Sequence, residues 1–318
     1  MRKVKSMIAN TTIENNIKNA YISAFEMNDK SLKDLIIINT KCLIDDKIQR
    51  YVYIDSNRLR DELIYYKFYG EKLSSKNIIN ILLPVILSNT NADKSEEVVI
   101  DLVSKYIRFL KIEENTYEYI LSAICYNIII HKLIENKNVE YEELLQSAKE
   151  KIIGFTMELD KSQVVKFQME RIKAIQIIDK YIDLKVYEYE EDKVLINMLN
   201  VLYDIYIEDR EISDNGILSI KKSILSILNF EENLNINNID FTLSMAEYVI
   251  KLRKYIINKK IYNNRVDPRS LIKLEVGEIT IDPIFNQIEI IKKDFKNDIL
   301  EIGVKAKSGI YNLKFKKS

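Results

Sequence analysis

A chain of 318 residues that is 47% hydrophobic and 30% charged has enough apolar material for one large or two modest domains. Its 48 basic and 48 acidic side chains cancel, which argues against a chain-wide electrostatic footprint for nucleic acid or anionic membrane. With 6 Gly, 2 Cys and 1 His it lacks the makings of glycine-rich phosphate loops, a disulfide scaffold or a histidine metal cluster.

The basic start, Met1 to Met7, runs into polar Ala9-Asn10-Thr11-Thr12 where a signal peptide needs an apolar stretch. Residues 12 to about 260 read almost entirely as helices. Ile13, Ile17, Ala20, Tyr21, Ala24 and Phe25 fall on one helical face. Ser31 followed by Asp34 predicts a capping box for a helix through Cys42, and Asp55 a cap for a segment carrying Leu59, Leu63 and Tyr66. Ile78 to Leu87 is apolar nearly all round, as for a buried segment. It is broken by Asn80 and Pro84 and falls short of the ~20 residues of a membrane span. Asp93 with Glu96 predicts the start of a helix through Leu110, and Thr116 the cap of a central helix containing Ile120, Ile124 and Ile128. Glu140 to Ile153 ends on Gly154, a candidate left-handed residue. Ser162–Ile182, Glu191–Ile207, Ile217–Leu228 and Thr242–Ile257 complete an array of around ten helices without a solenoid repeat.

The pattern changes near Arg265-Val266-Asp267-Pro268. From Leu271 onward β-branched and polar residues alternate, through Ile272, Leu274 and Val276 and then Ile279 and Ile281. Lys307-Ser308-Gly309 is a turn signal between Ile302–Ala306 and Ile310–Phe315. The fold class expected is therefore mainly all-α, a helical domain over residues 1–268 with a small antiparallel β appendage over 269–318. A sheet this short seldom folds alone, so it should pack on the helices or on a partner.

Several residues invite a chemical reading and each has a plainer one. His131, late in the central helix, reads as a hydrogen-bonded or solvent-edge histidine; Cys125 is off its face, and Cys125 and Cys42 read as buried thiols of a reducing compartment. Asp45-Asp46 and Glu190-Glu191-Asp192 are carboxylate clusters that more often serve helix dipoles or solvated surface than a hard cation. The lysines of the tail, with Tyr311 and Phe315 interleaved, could track a nucleic-acid backbone, but edge-strand protection explains them as well.

Taken in order, the helical segments resemble the ADP-ribosylglycohydrolases of the dinitrogenase-reductase-activating type over about residues 13 to 270. Asn19-Ala20-Tyr21-Ile22-Ser23 stands where the family has Gly-Ala-x-x-Gly, and Asn28-Asp29-Lys30-Ser31 where it has Thr-Asp-Asp-Thr. Lys76 to Pro84 is similar to its Asn-Gly-x-x-Met-Arg-x-x-Pro stretch, Gly216 to Leu234 to the helix and Phe-Glu-Glu segment that follow. Asn237-Asn238-Ile239-Asp240-Phe241-Thr242 is similar to its Gly-Gly-Asp-Thr-Asp-Thr loop. The resemblance implies an all-α fold whose two aspartate loops hold a pair of magnesium ions.

The departures carry the functional expectation. Ile239, Phe241 and Lys30 replace metal-binding carboxylates, and magnesium demands near-octahedral oxygen. Asn19, Asn77, Asn237 and Asn238 stand at family glycines. The chain is thus expected to be a pseudoenzyme: catalytically inactive, without metal or other cofactor, soluble and cytoplasmic. It would work as a binding or scaffold protein for a protein partner or a second copy of itself, with neither nucleic acid nor membrane expected. Asp29, Lys30, Asp240 and Thr242 are the residues of the degenerate ligand site. The alternatives are an active hydrolase using Asp29, Asp240 and Glu26, or an assembly or nucleic-acid module working through the basic tail.

Overall fold

A computed structural model describes residues 2–186, 193–208, 214–228, 236, 238–257, 259, 262 and 266–316, with side chains from residue 12 onward. The mainly helical architecture with a small C-terminal antiparallel sheet is as expected. Eleven α-helices lie among the described residues: α1 (Arg2–Ser23), α2 (Lys30–Cys42), α3 (Ser56–Tyr69), α4 (Leu83–Ser88), α5 (Ala92–Leu110), α6 (Thr116–Glu135), α7 (Tyr141–Gly154), α8 (Lys161–Ile182), α9 (Val194–Tyr206), α10 (Asn215–Ile227) and α11 (Ile239–Arg253). The first helix packs on α10 and α11, so the chain closes on itself. At the centre, α4 and the 3-10 turn Ile79–Leu82 before it touch α2, α5, α6 and α10 or α11, as the all-round apolar pattern requires.

Several starts and stops differ from expectation. Asp29, not Ser31, caps α2, accepting from the Leu32 amide at 2.9 Å; the Ser31 hydroxyl turns away to the Glu71 carbonyl. Asn91 rather than Asp93 caps α5, and Asp93 with Glu96 instead receives Lys151 of α7. Asp55 caps α3 as expected, through the Asn57 and Arg58 amides. Gly154 closes α7 without a left-handed backbone.

The helical run is also interrupted by a hairpin, β1 (Leu43–Asp46) and β2 (Tyr51–Ile54), that the helical reading misses. Val52 and Ile54 face inward while Tyr51 and Tyr53 are half-buried, a two-residue period spanning only four residues. The turn between the strands relies on Arg50 in the left-handed region, at φ 57°, where a Gly or Asn would have announced it.

In the tail, Leu271 to Val276 is not a strand. Pro268–Lys273 is a 3-10 helix capped by Asp267, whose side chain accepts from the Arg269 amide. The sheet begins later and runs in sequence order: β3 (Ile279–Asp282), β4 (Asn286–Lys296), β5 (Ile299–Ala306) and β6 (Gly309–Lys316), all antiparallel, with a bulge between Ile290 and Lys292. Its inner face, including Ile288, Ile290, Ile302, Val304 and Leu313, is buried.

The sheet packs on α3. Phe285 stands edge-on to Tyr65, 5.5 Å between centroids, and lies 5.7 Å from Tyr69 and 4.5 Å from Tyr311. The Tyr65 hydroxyl donates to buried Asp282 at 2.8 Å. This aromatic knot of buried rings joins the sheet to α3. Phe285→Ala should therefore lower stability by about 3–5 kcal/mol, read as a shift in the urea unfolding midpoint at unchanged slope.

Candidate functional site

The starts of α2 and α11 converge on one cleft of about 500 Å³. Asn28, Lys30, Lys33, Asp34 and Ile37 line it from the α2 side, and Asn238, Phe241 and Thr242 from the α11 side. The turn between β5 and β6, Ser308 to Tyr311, closes a third wall. Two segments more than two hundred positions apart are thus brought together, which helix periodicity alone cannot foresee.

Of the four residues singled out above, Lys30 and Thr242 line this cleft, whereas Asp29 and Asp240 do not. Asp29 is only 4% exposed. One carboxylate oxygen accepts from the Leu32 amide, and the other from both the amide and the hydroxyl of Ser74. Burial works to raise its pKa, but the bonds from Ser74 and from the Leu32 and Ser31 amides outweigh it and hold the carboxyl below the usual range. The group is ionised and already occupied. Asp240 lies in the first turn of α11 with its side chain in solvent, where a carboxylate favours the positive end of the helix dipole. Glu26, the third carboxylate of the hydrolase alternative, faces Lys222 at 3.3 Å.

The cleft presents cations instead. Lys30 Nζ meets Asp34 at 2.6 Å and lies 5.6 Å and 5.4 Å from the centroids of Tyr69 and Tyr311. Burial lowers the pKa of Lys33, against the pull of Asp29. Burial likewise raises that of Asp34, which Lys30 opposes. The cleft wall thus carries Lys30 and Lys33 beside Asp34, with the charge of buried Asp29 close enough to act on Lys33. The Thr242 hydroxyl back-bonds to the Asn238 carbonyl at 3.4 Å. Asn238 itself holds φ 57°, a left-handed conformation that suits glycine and that asparagine tolerates.

The donor set does not fit magnesium. Asp29 has its oxygens engaged, Asp240 points away, and Lys30 and Lys33 put positive charge where a cation would sit. No three His, Cys, Asp or Glu side chains among the described residues lie close enough to hold a metal ion. Asp46 is used in the first hairpin, accepting from the Ile48 and Gln49 amides, and Glu190-Glu191-Asp192 lies outside the described residues.

His131 is buried, not at a solvent edge. Its Nε2 lies 3.2 Å from the Ser95 hydroxyl, which also bonds Asn127, and its Nδ1 has no partner. Burial, reinforced by Arg253 and opposed by Asp93, pushes its pKa down to about 3. The thiols of Cys42 and Cys125 are pushed far up by burial. All three are core groups.

Sequence reading overlooked a second charged cluster, centred on fully buried Glu62, which accepts from Lys41 at 2.6 Å and from Arg58 at 3.4 Å. The four-residue spacing of Arg58 and Glu62 was the one local signal for it.

No protein-family model, curated protein or solved structure matches this chain. Its site has to be understood from its own chemistry.

Two pH effects follow from the buried groups. Asp29 is more acidic folded than unfolded, so its contribution is complete above the ordinary value of 3.8 and is lost as pH falls through the lower folded value. Asp29→Ala should cost about 1–2 kcal/mol at neutral pH, through loss of the cap, with the deficit shrinking in strong acid. Chemical denaturation at neutral and acid pH measures both. For His131 the unfolded chain takes up the proton first, so stability should fall with decreasing pH between the ordinary 6.5 and about 3. His131→Gln should flatten that limb of the stability–pH curve.

Proposed function

We propose that this chain is a metal-free relative of the ADP-ribosylglycohydrolases that binds a protein partner and does not hydrolyse a substrate. One observation supports it most directly. At the junction of the two helix starts, where the family resemblance puts the metal loops, the surviving aspartates offer no open pair of ligands, and Lys30, at a family carboxylate position, lines the cleft with Lys33. The left-handed backbone at Asn238, a position where the family carries glycine, is a second point in favour of the pairing. The tail turn that walls the cleft, and the aromatic knot behind it, make the β appendage part of the same surface.

The alternatives find less support. An acid–base hydrolase needs two carboxyls within reach of one substrate atom. Asp29 is closed off, Asp240 faces solvent, and Asp34, the cleft carboxyl whose pKa burial raises, is tied to Lys30. For a nucleic-acid module the tail lysines would have to be available. Lys292 pairs with Asp294 and Glu301, Lys293 with Glu275, and Lys305 with Glu289, so these three are engaged within the tail.

Calorimetric titration with magnesium, and an assay for ADP-ribose release from an ADP-ribosylated protein in excess magnesium, test the proposal. The expected outcome is no saturable heat and no release. Saturable binding of two ions that Asp29→Ala and Asp240→Ala abolish, or release of ADP-ribose, would overturn it.

A further inference from the structure

On the other side of the β5–β6 turn lies a second cleft, of about 380 Å³, that shares only Phe241 and Ser308 with the first. Four cations line it: Lys41 from the last turn of α2, Arg58 from the first turn of α3, Lys259 after α11, and Lys307 from the turn. No carboxylate lines it. Glu62 beneath is shared between Lys41 and Arg58, and Asp55 also acts on Lys259. Half-buried Lys259 donates to the main-chain carbonyls of Lys41 and Leu43. Among the described residues Lys307 has no ion pair, and Arg58 Nε is buried without a hydrogen bond.

A surplus of positive charge in a half-buried site is costly, because the cations repel one another and give up water. The cost is visible at Lys259, whose pKa burial, and then Arg58, pushes down to about 8. A compact multivalent anion relieves the repulsion and supplies the missing acceptors. The remaining walls hold Phe241, Met245, Tyr248 and Phe285 beside polar Asn286 and Ser308; among the described residues Phe241 has no cation over its ring, whereas Phe285 meets Lys41 and Tyr248 meets Lys259. The volume suits a small molecule, and the four cations line one small cleft where a polynucleotide would need a stripe.

We propose that this cleft binds a small organic phosphate, with the phosphate held by Lys41, Arg58, Lys259 and Lys307 and a flat apolar body packed on Phe241 and Met245. The inference stands apart from the function proposed above, since a metal-free binding protein could carry such a site or lack it.

The test is calorimetric titration of the full chain with phenyl phosphate, inorganic phosphate and phenol. Phenyl phosphate should bind about tenfold more tightly than inorganic phosphate, and phenol should give no saturable heat. Lys307→Glu, a change on an exposed turn, should weaken both phosphates by about tenfold or more, as should Lys259→Gln. Phe241→Ala should erase the advantage of phenyl phosphate while leaving inorganic phosphate bound as before. Lys305→Glu, on the neighbouring strand, serves as the charge control and should have little effect. Absence of saturable binding by either phosphate at millimolar concentration would overturn the proposal. So would affinities that folded Lys307→Glu leaves unchanged, or that Lys305→Glu lowers equally.

Discussion

Burying the main chain from Asn77 to Asn89 is the constraint on which the helical core depends. Every residue in that stretch is buried, so each of its amides and carbonyls needs a partner inside the protein. The short helix α4 leaves carbonyls open at its C-terminus, and Arg253 of α11 meets them, its guanidinium reaching the carbonyls of Leu87, Asn89 and Thr90. The Asn89 side chain both accepts from and donates to the main chain of Val52, tying the first hairpin to the same point. Asn39 donates to the Ile81 carbonyl, and Asn80 accepts from Tyr126 and donates to Ser219. Helices α2, α6, α10 and α11 are thus located by polar contacts with one apolar segment, as a network that is costly to leave half-made.

The same segment positions the candidate site. The residues that enter it, Ser74 to Asn77, hold two helix starts at once. Ser74 bonds Asp29 at the cap of α2, and Ser75 bonds Asp214 at the cap of α10. Gly216 allows α10 to approach, since a Cβ there would stand 2.1 Å from the Asn77 carbonyl oxygen. The Asn28 amide donates to Asn215 and closes the circuit. Asp29 is therefore a structural keystone of three segments, which explains why an ionised carboxylate survives there with nothing left to offer a metal.

Helical periodicity, the buried central run and the change of character before the tail were legible in the sequence because each is a pattern of many residues. What was not legible was set by single contacts. The start of α2 turns on whether Asp29 or Ser31 meets the Leu32 amide, and both residue types can do so. The first hairpin has strands of four residues and a turn whose left-handed position is an arginine, so neither its period nor its punctuation stands out. Leu271 to Val276 alternates like a strand, yet Pro268 and the Asp267 cap start a 3-10 turn there. In the site, the family resemblance pointed to Asp29, Lys30, Asp240 and Thr242, of which Lys30 and Thr242 line the cleft; that Asp29 turns away depends on Ser74, which no local pattern connects to it.

The four-stranded sheet is more than an addition to the helical array, because its position decides what the helical face can present. Its inner face covers α3 through Phe68, Tyr69 and Phe315, while the single turn Lys307–Gly309 projects between the starts of α2 and α11. That turn is a wall of both clefts. On one side it brings Tyr311 over Lys30, on the other it adds Lys307 to Lys41, Arg58 and Lys259. Gly309, at φ 140°, gives the turn a backbone that a side chain would strain, so its path is set by local geometry and not by a ligand. The turn thereby separates two small clefts, the second lined by four cations. Chemistry that required open carboxylates at the junction would have to break the bonds that tie Asp29 to Ser74 and Leu32, whereas recognition of an anion would use the turn as it stands.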